Sequence, residues 1–160
     1  MRPAFSKETG GMLNKGDQAA FILCTAIYAL GMHAEPEPTR ARVLTYIRVK
    51  GLISYEALGA DVWADEKKTR LQFFSWCRED IATGGLIAYR GSVDRGFWRL
   101  SDSGRSFVEK RIEKWGALEK TADQMLQDLQ NFQSECIYSV AFLNLVLQLG
   151  DKRRETRMEK

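Results

Sequence analysis

The chain has 160 residues and a formal net charge of +3, enough for one compact domain, or one domain with an appended element, around a real core. Apolar residues are 44% and charged residues 28%, ordinary proportions that exclude a disordered or membrane-embedded chain. The charge is unevenly spread: residues 65–115 hold eleven Lys/Arg against eight Asp/Glu, residues 116–149 one against four, and residues 151–160 five against three.

Residues 1–15 are polar and lack periodicity, the pattern of a flexible N-terminal arm. From Gly16 or Asp17 to Met32 the chain is apolar on nearly every helical face through Phe21, Ile22, Leu23, Ala26, Ile27 and Leu30, which predicts an enclosed helix. Its apolar run, Ala19 to Leu30, is too short to cross a bilayer and is expected as core, not as a signal peptide or anchor. The lone His33 follows it as a capping or exposed residue, with no nucleophile arranged beside it.

The Glu35–Pro38 segment breaks that helix and Thr39 can cap the next, whose buried face is Val43, Leu44, Ile47 and Leu52 and whose end is Gly51. Ser54 to Leu58 fits one further helical turn. A third long helix is expected from Asp65, with Leu71, Phe74, Cys77 and Ile81 inward at steps of three and four. Lys68, Gln72, Ser75 and Glu79 then share the opposite face, with Lys67, Thr69 and Arg70 near the start. Gly84 and Gly85 close the helix. Leu86–Arg90 and Phe97–Leu100 form a hairpin carrying Arg90, Arg95 and Arg99, and Ser101 or Asp102 can cap the following helix.

A helix, a glycine stop and an arginine-bearing hairpin in this order are how a winged helix-turn-helix is built. The predicted fold is mainly α with a small β-hairpin wing, over residues 16–115. In helix-turn-helix docking the start of the second helix enters the major groove, and a wing meets phosphate or the minor groove. Lys67, Lys68, Thr69, Arg70, Gln72 and Ser75 on the helix, with Arg90, Arg95 and Arg99 on the wing, are therefore the candidate contacts to double-stranded DNA.

Trp76, Cys77, Arg78, Ile81, Gly85, Leu86 and Ile87, followed by Arg95, Gly96, Trp98, Arg99, Leu100, Ser101 and Gly104, resemble the N-terminal winged-helix domain of Mrr-type restriction endonucleases. The motif spans residues 70–104 and the architecture about 16–112. In those enzymes a nuclease domain follows, with an Asp and a Glu/Gln-x-Lys motif. Asp61 with Glu66-Lys67-Lys68 is a formal match, but these residues should open a polar helix where the catalytic motif needs a buried strand. No room remains here for a nuclease domain, and no P-loop, HExxH or triad is present. The chain is expected not to be an enzyme.

Lys110, Arg111 and Lys114 follow on a helix whose apolar positions are Phe107, Ile112 and Trp115. Beyond residue 116, Leu118, Ala122, Met125, Leu129, Phe132 and Cys136 recur at steps of four and three, and Val140 and Leu143 extend the apolar surface. This seam matches a coiled coil and predicts one C-terminal dimerisation helix over residues 116–150, roughly 50 Å long. Residues 151–160 read as a solvated basic tail.

Cys24, Cys77 and Cys136 are far apart, with no CxxC spacing, so free thiols in a reducing cytoplasm are expected, with no metal and no cofactor. The leading expectation is thus a homodimeric DNA-binding protein engaged in transcriptional control, without a membrane. The alternatives are an accessory, protein-binding subunit of a restriction or defence system, docking through its C-terminal helix, and a nuclease relic that recognises modified DNA without cutting it.

Overall fold

A computed structural model describes residues 14–31, 38–90, 97–132 and 135–158, with the side chains of 74, 77–84, 88–90, 157 and 158 outside that description. Residues 1–13 of the N-terminal arm, His33 and Arg95 therefore lie outside the described residues, while Lys15, expected in the arm, opens the first helix. The molecule is mainly helical, and its core forms around helix α1 (Lys15–Gly31), which is buried from Gln18 to Ile27. Phe21, fully buried at its centre, meets Trp115 edge-on at 5.0 Å, Phe142 at 5.3 Å, Phe107 at 6.0 Å and Tyr138 at 6.3 Å. One aromatic side chain thus joins α1 to two distant stretches of sequence, 107–115 and 138–142, in the edge-to-face geometry that ring quadrupoles favour.

Helix α2 (Arg40–Lys50) starts where Thr39 accepts the Arg42 N–H and stops at Gly51, whose φ of 64° a side chain would oppose. Two short helices follow, α3 (Tyr55–Leu58) and α4 (Ala60–Ala64), and then the long α5 (Glu66–Gly84), ended by Gly85 in the left-handed conformation. Strands β1 (Ile87–Arg90) and β2 (Phe97–Leu100) pair antiparallel, Ile87 opposite Leu100 and Arg90 opposite Phe97. Helix α6 (Asp102–Gly116) is capped by Ser101, which accepts the Gly104 N–H.

The hairpin is fixed along the outer edge of β2 and closed at its base. Trp98 donates its backbone N–H to the Pro38 carbonyl at 2.8 Å, and the Ser101 N–H bonds to the Leu86 carbonyl at 3.1 Å. Gly104 lets α6 approach so closely that a Cβ there would lie 2.0 Å from the Leu86 oxygen.

The C-terminal third departs from the sequence expectation. In place of one rod the chain forms α7 (Ala122–Phe132) and α8 (Val140–Met158), and both fold back. The first break follows Glu119, with φ of 55°, and a reciprocal cap: the Gln124 N–H bonds to the Thr121 hydroxyl and the Thr121 N–H to the Gln124 side chain. The second is the extended segment 135–139. Gln18, fully buried, donates to the Glu135 carbonyl at 2.8 Å and accepts the Ile137 N–H at 2.7 Å. The Ser54 N–H bonds to the Ile137 carbonyl at 2.7 Å, Ile53 bridges Tyr138, and the Ser139 hydroxyl donates to the Gly51 carbonyl while capping α8 at Phe142.

The residues assigned to dimerisation are consequently taken up inside the molecule. Met125, Leu129 and Leu143 are wholly buried and Ala122 nearly so, while Leu118, Phe132, Cys136 and Val140 pack partly buried on the same core. Nor is the segment from Asp151 a free tail. It continues α8 to Met158, and Arg153 pairs with Glu109 at 2.5 Å and Glu113 at 2.9 Å on α6, where Tyr28 also donates to Glu109. Burial opposes the Arg153 charge, yet its pKa is raised, because hydrogen bonds to Glu113 and Tyr28 favour the cation.

No helix among the described residues is long and apolar enough to cross a membrane. Cys24 is buried, Cys136 is half-buried, and neither is in a disulfide.

Gly104→Ala should destabilise the fold by about 2–3 kcal/mol, the upper part of the overpacking range, since the obstructing atoms are backbone. Urea denaturation measures this, with Gly31→Ala, whose added Cβ meets nothing within 4 Å, expected to leave the midpoint nearly unchanged.

Candidate nucleic-acid interface

The start of α5 is held by three independent contacts. Asp65 caps it by accepting the Lys68 N–H at 3.1 Å, and that hydrogen bond, ahead of the nearby lysine charges, holds the Asp65 carboxyl below its ordinary pKa. Thr69 turns its hydroxyl inward to the Val62 carbonyl at 2.6 Å, with the Asp65 carbonyl also within reach at 3.0 Å. Arg48 reaches across from α2 to the Trp63 carbonyl at 2.7 Å and stands 4.0 Å from the Glu66 carboxylate. The helix direction at its first turn is therefore set by α2 and α4, while its body lies against α1.

The first half of α5 is buried differently from the sequence expectation at Leu71. Phe73 is fully buried and Thr69 almost so, whereas Leu71, expected inward, is 58% exposed. The positions of the Phe74, Cys77, Ile81 and Glu79 side chains lie outside the described residues. The inward pair at the start of the helix is Thr69 and Phe73, one turn apart at a step of four; the threonine masked it by being polar. Its hydroxyl is satisfied locally, which keeps the cost of burying it small.

The outward face carries Lys67, Lys68, Leu71 and Ser75, all exposed, flanked by the half-buried Arg70 and Gln72. Thr69 is the one helical candidate that the structure removes from this surface. On β2, Trp98 points into the core and Arg99 outward, as strand alternation requires. The side chain of Arg90 and the whole of Arg95 lie outside the described residues. Asp61, Glu66, Lys67 and Lys68, the formal nuclease match, sit exposed on α4 and the first turn of α5, on no strand.

Sequence reasoning missed Arg48 as the brace of this face and the exposed apolar side chains beside it. Val49 is 77% and Tyr55 52% exposed, and Tyr55 meets Trp63 edge-on at 5.9 Å. A helical wheel of α2 could have shown Val49 outward among Arg42, Thr45 and Lys50. Among the described residues no group of three His, Cys, Asp or Glu could hold a metal ion.

Compared with known proteins, the chain matches no family model, no curated protein and no solved structure.

Thr69→Val keeps the volume and removes the inward hydrogen bond, so it should cost about 1 kcal/mol. Chemical denaturation gives the loss, and amide exchange of the α5 first turn should accelerate with it; an unchanged first turn would contradict its anchoring by Thr69.

Proposed function

We propose that the chain is a double-stranded-DNA-binding protein that presents the outer face of α5 to the major groove and the β1–β2 hairpin to the backbone. The observation that carries this reading is the pair Lys67 and Lys68, exposed with Ser75 on one face of a helix whose start is rigidly held. Lysines beside a fixed helix N-terminus supply phosphate neutralisation, and Gln72 and Ser75 supply donors and acceptors for base edges. Arg99, exposed on the adjoining hairpin, adds a further charge. The succession of α2, the short α3 and α4, α5 and the hairpin supports a winged helix-turn-helix arrangement of these parts.

The C-terminal helices play a different part from that of a dimer rod: they complete the core behind α1. Transcriptional control stands as the usual employment of such a reader, with binding by a single chain in place of a dimer built on residues 116–150. We read the molecule as non-catalytic.

A protein-docking reading is favoured by a separate observation, the apolar exposure at Val49, Tyr55 and Leu71. It predicts indifference to DNA and to salt.

Binding to a mixed-sequence duplex should weaken steeply with added salt. Lys67→Ala with Lys68→Ala should lower the slope of log K against log salt by about 2, roughly one for each phosphate no longer neutralised. Lys110→Ala, an exposed lysine on α6, should leave both affinity and slope alone. Fluorescence anisotropy across a salt series measures all three, and equal weakening by the Lys110 variant would move the interface elsewhere.

A further inference from the structure

Helices α1, α2 and α8 leave a pocket of about 300 Å³ between them, built without any residue of α5 or the hairpin. Its floor is apolar: Leu30 and Leu149 are buried, and Leu145 packs partly buried on the same core. Its rim is polar and positive, with Arg42 arriving from α2 and Lys152 from α8.

These two cations differ from others in the molecule. Arg48 directs its charge to the Trp63 carbonyl and Glu66, and Arg153 to Glu109 and Glu113. The side chains of Arg42 and Lys152 are exposed, and neither is paired with a carboxylate among the described residues. Two like charges brought to one hollow by separate helices repel, and an anion between them reverses the sign of the interaction. Tyr46, half-buried, lines the same pocket, and burial raises its pKa above the ordinary tyrosine value. At neutral pH it is therefore an intact O–H donor.

An inorganic anion would use the rim and leave the leucines uncovered, whereas a neutral hydrocarbon would leave the cations unused. We propose that this pocket binds a small organic carboxylate with an apolar body, its carboxylate between Arg42 and Lys152 and its body on the floor of Leu30, Leu145 and Leu149. The Tyr46 hydroxyl supplies a third donor to the carboxylate. The volume is at the small end for ligand pockets, which limits the body to one or two rings or a short chain. The site stands independently of DNA binding, since it shares no residue with the α5 surface.

Titration of the full chain with 2-naphthoate, followed through the methyl NMR signals of the leucines, tests it. Saturable shifts at Leu30, Leu145 and Leu149 are expected. Arg42→Ala and Lys152→Ala should each weaken binding about five- to tenfold, as loss of a charge-assisted hydrogen bond does. 2-Naphthamide, equal in shape but uncharged, should bind at least about tenfold more weakly. Both substituted side chains are exposed, and an unaltered Ile137 amide signal will show that the fold is retained. Absence of a saturable leucine shift, equal affinity in both variants, equal affinity for the amide, or equal competition by acetate would overturn the proposal.

Discussion

The buried amide of Gln18 is the constraint on which the rest depends. It sits in the apolar α1, where an unpaired side-chain amide would carry a desolvation penalty of about 1–3 kcal/mol. It avoids that penalty by donating to the Glu135 carbonyl and accepting the Ile137 N–H. The pairing demands that residues 135–137 be extended, since in a continuous helix these backbone groups would bond along their own helix. The C-terminal third is thereby compelled to break and return, and Ser54 and Ser139 secure the same crossing from the α2–α3 side.

The returning helices occupy the side of α1 that would otherwise be open. Phe142, Leu143 and Val146 are buried there, and the Arg153 pairs with Glu109 and Glu113 tie the end of α8 to α6. With α1 enclosed by α6, α8 and the hairpin, α5 is left with one covered side and one open side, and the open side holds Lys67 and Lys68. An interface proposed for a polyanion is thus a consequence of where the apolar surface went. The same three-helix crossing of α1, α2 and α8 makes the pocket beneath Arg42 and Lys152, so one packing arrangement underlies both surfaces.

Much of the order of elements was legible in local signals. Thr39, Gly51, Asp65, Gly85 and Ser101 are cap residues whose chemistry is short-range, and each stands at the boundary its type indicates. The burial of Thr69 was not legible, because it is polar by composition and buried by virtue of two carbonyls that only the α4–α5 junction brings near. The C-terminal rod failed for a related reason. Steps of four and three between Leu118 and Cys136 fit a helix packed on another chain or on its own domain equally well. The Thr121 and Gln124 reciprocal cap and the Ser139 cap were present in the sequence as the deciding signals. Gln18 could not be assigned in advance, since its partners lie 117 and 119 residues away. On the candidate surface, Lys67, Lys68, Ser75 and Arg99 lie where composition and spacing put them, whereas Arg48 and the pocket arise only from tertiary packing.

Amide hydrogen exchange at Ile137 tests the central claim most directly. If the Gln18 side chain holds this N–H in a buried crossing, the amide exchanges only on global unfolding, and Gln18→Leu accelerates it by orders of magnitude while amides at the centre of α6 keep their protection relative to the new global stability. An Ile137 amide that exchanges as freely as an exposed loop, or one indifferent to the loss of Gln18, would contradict the account.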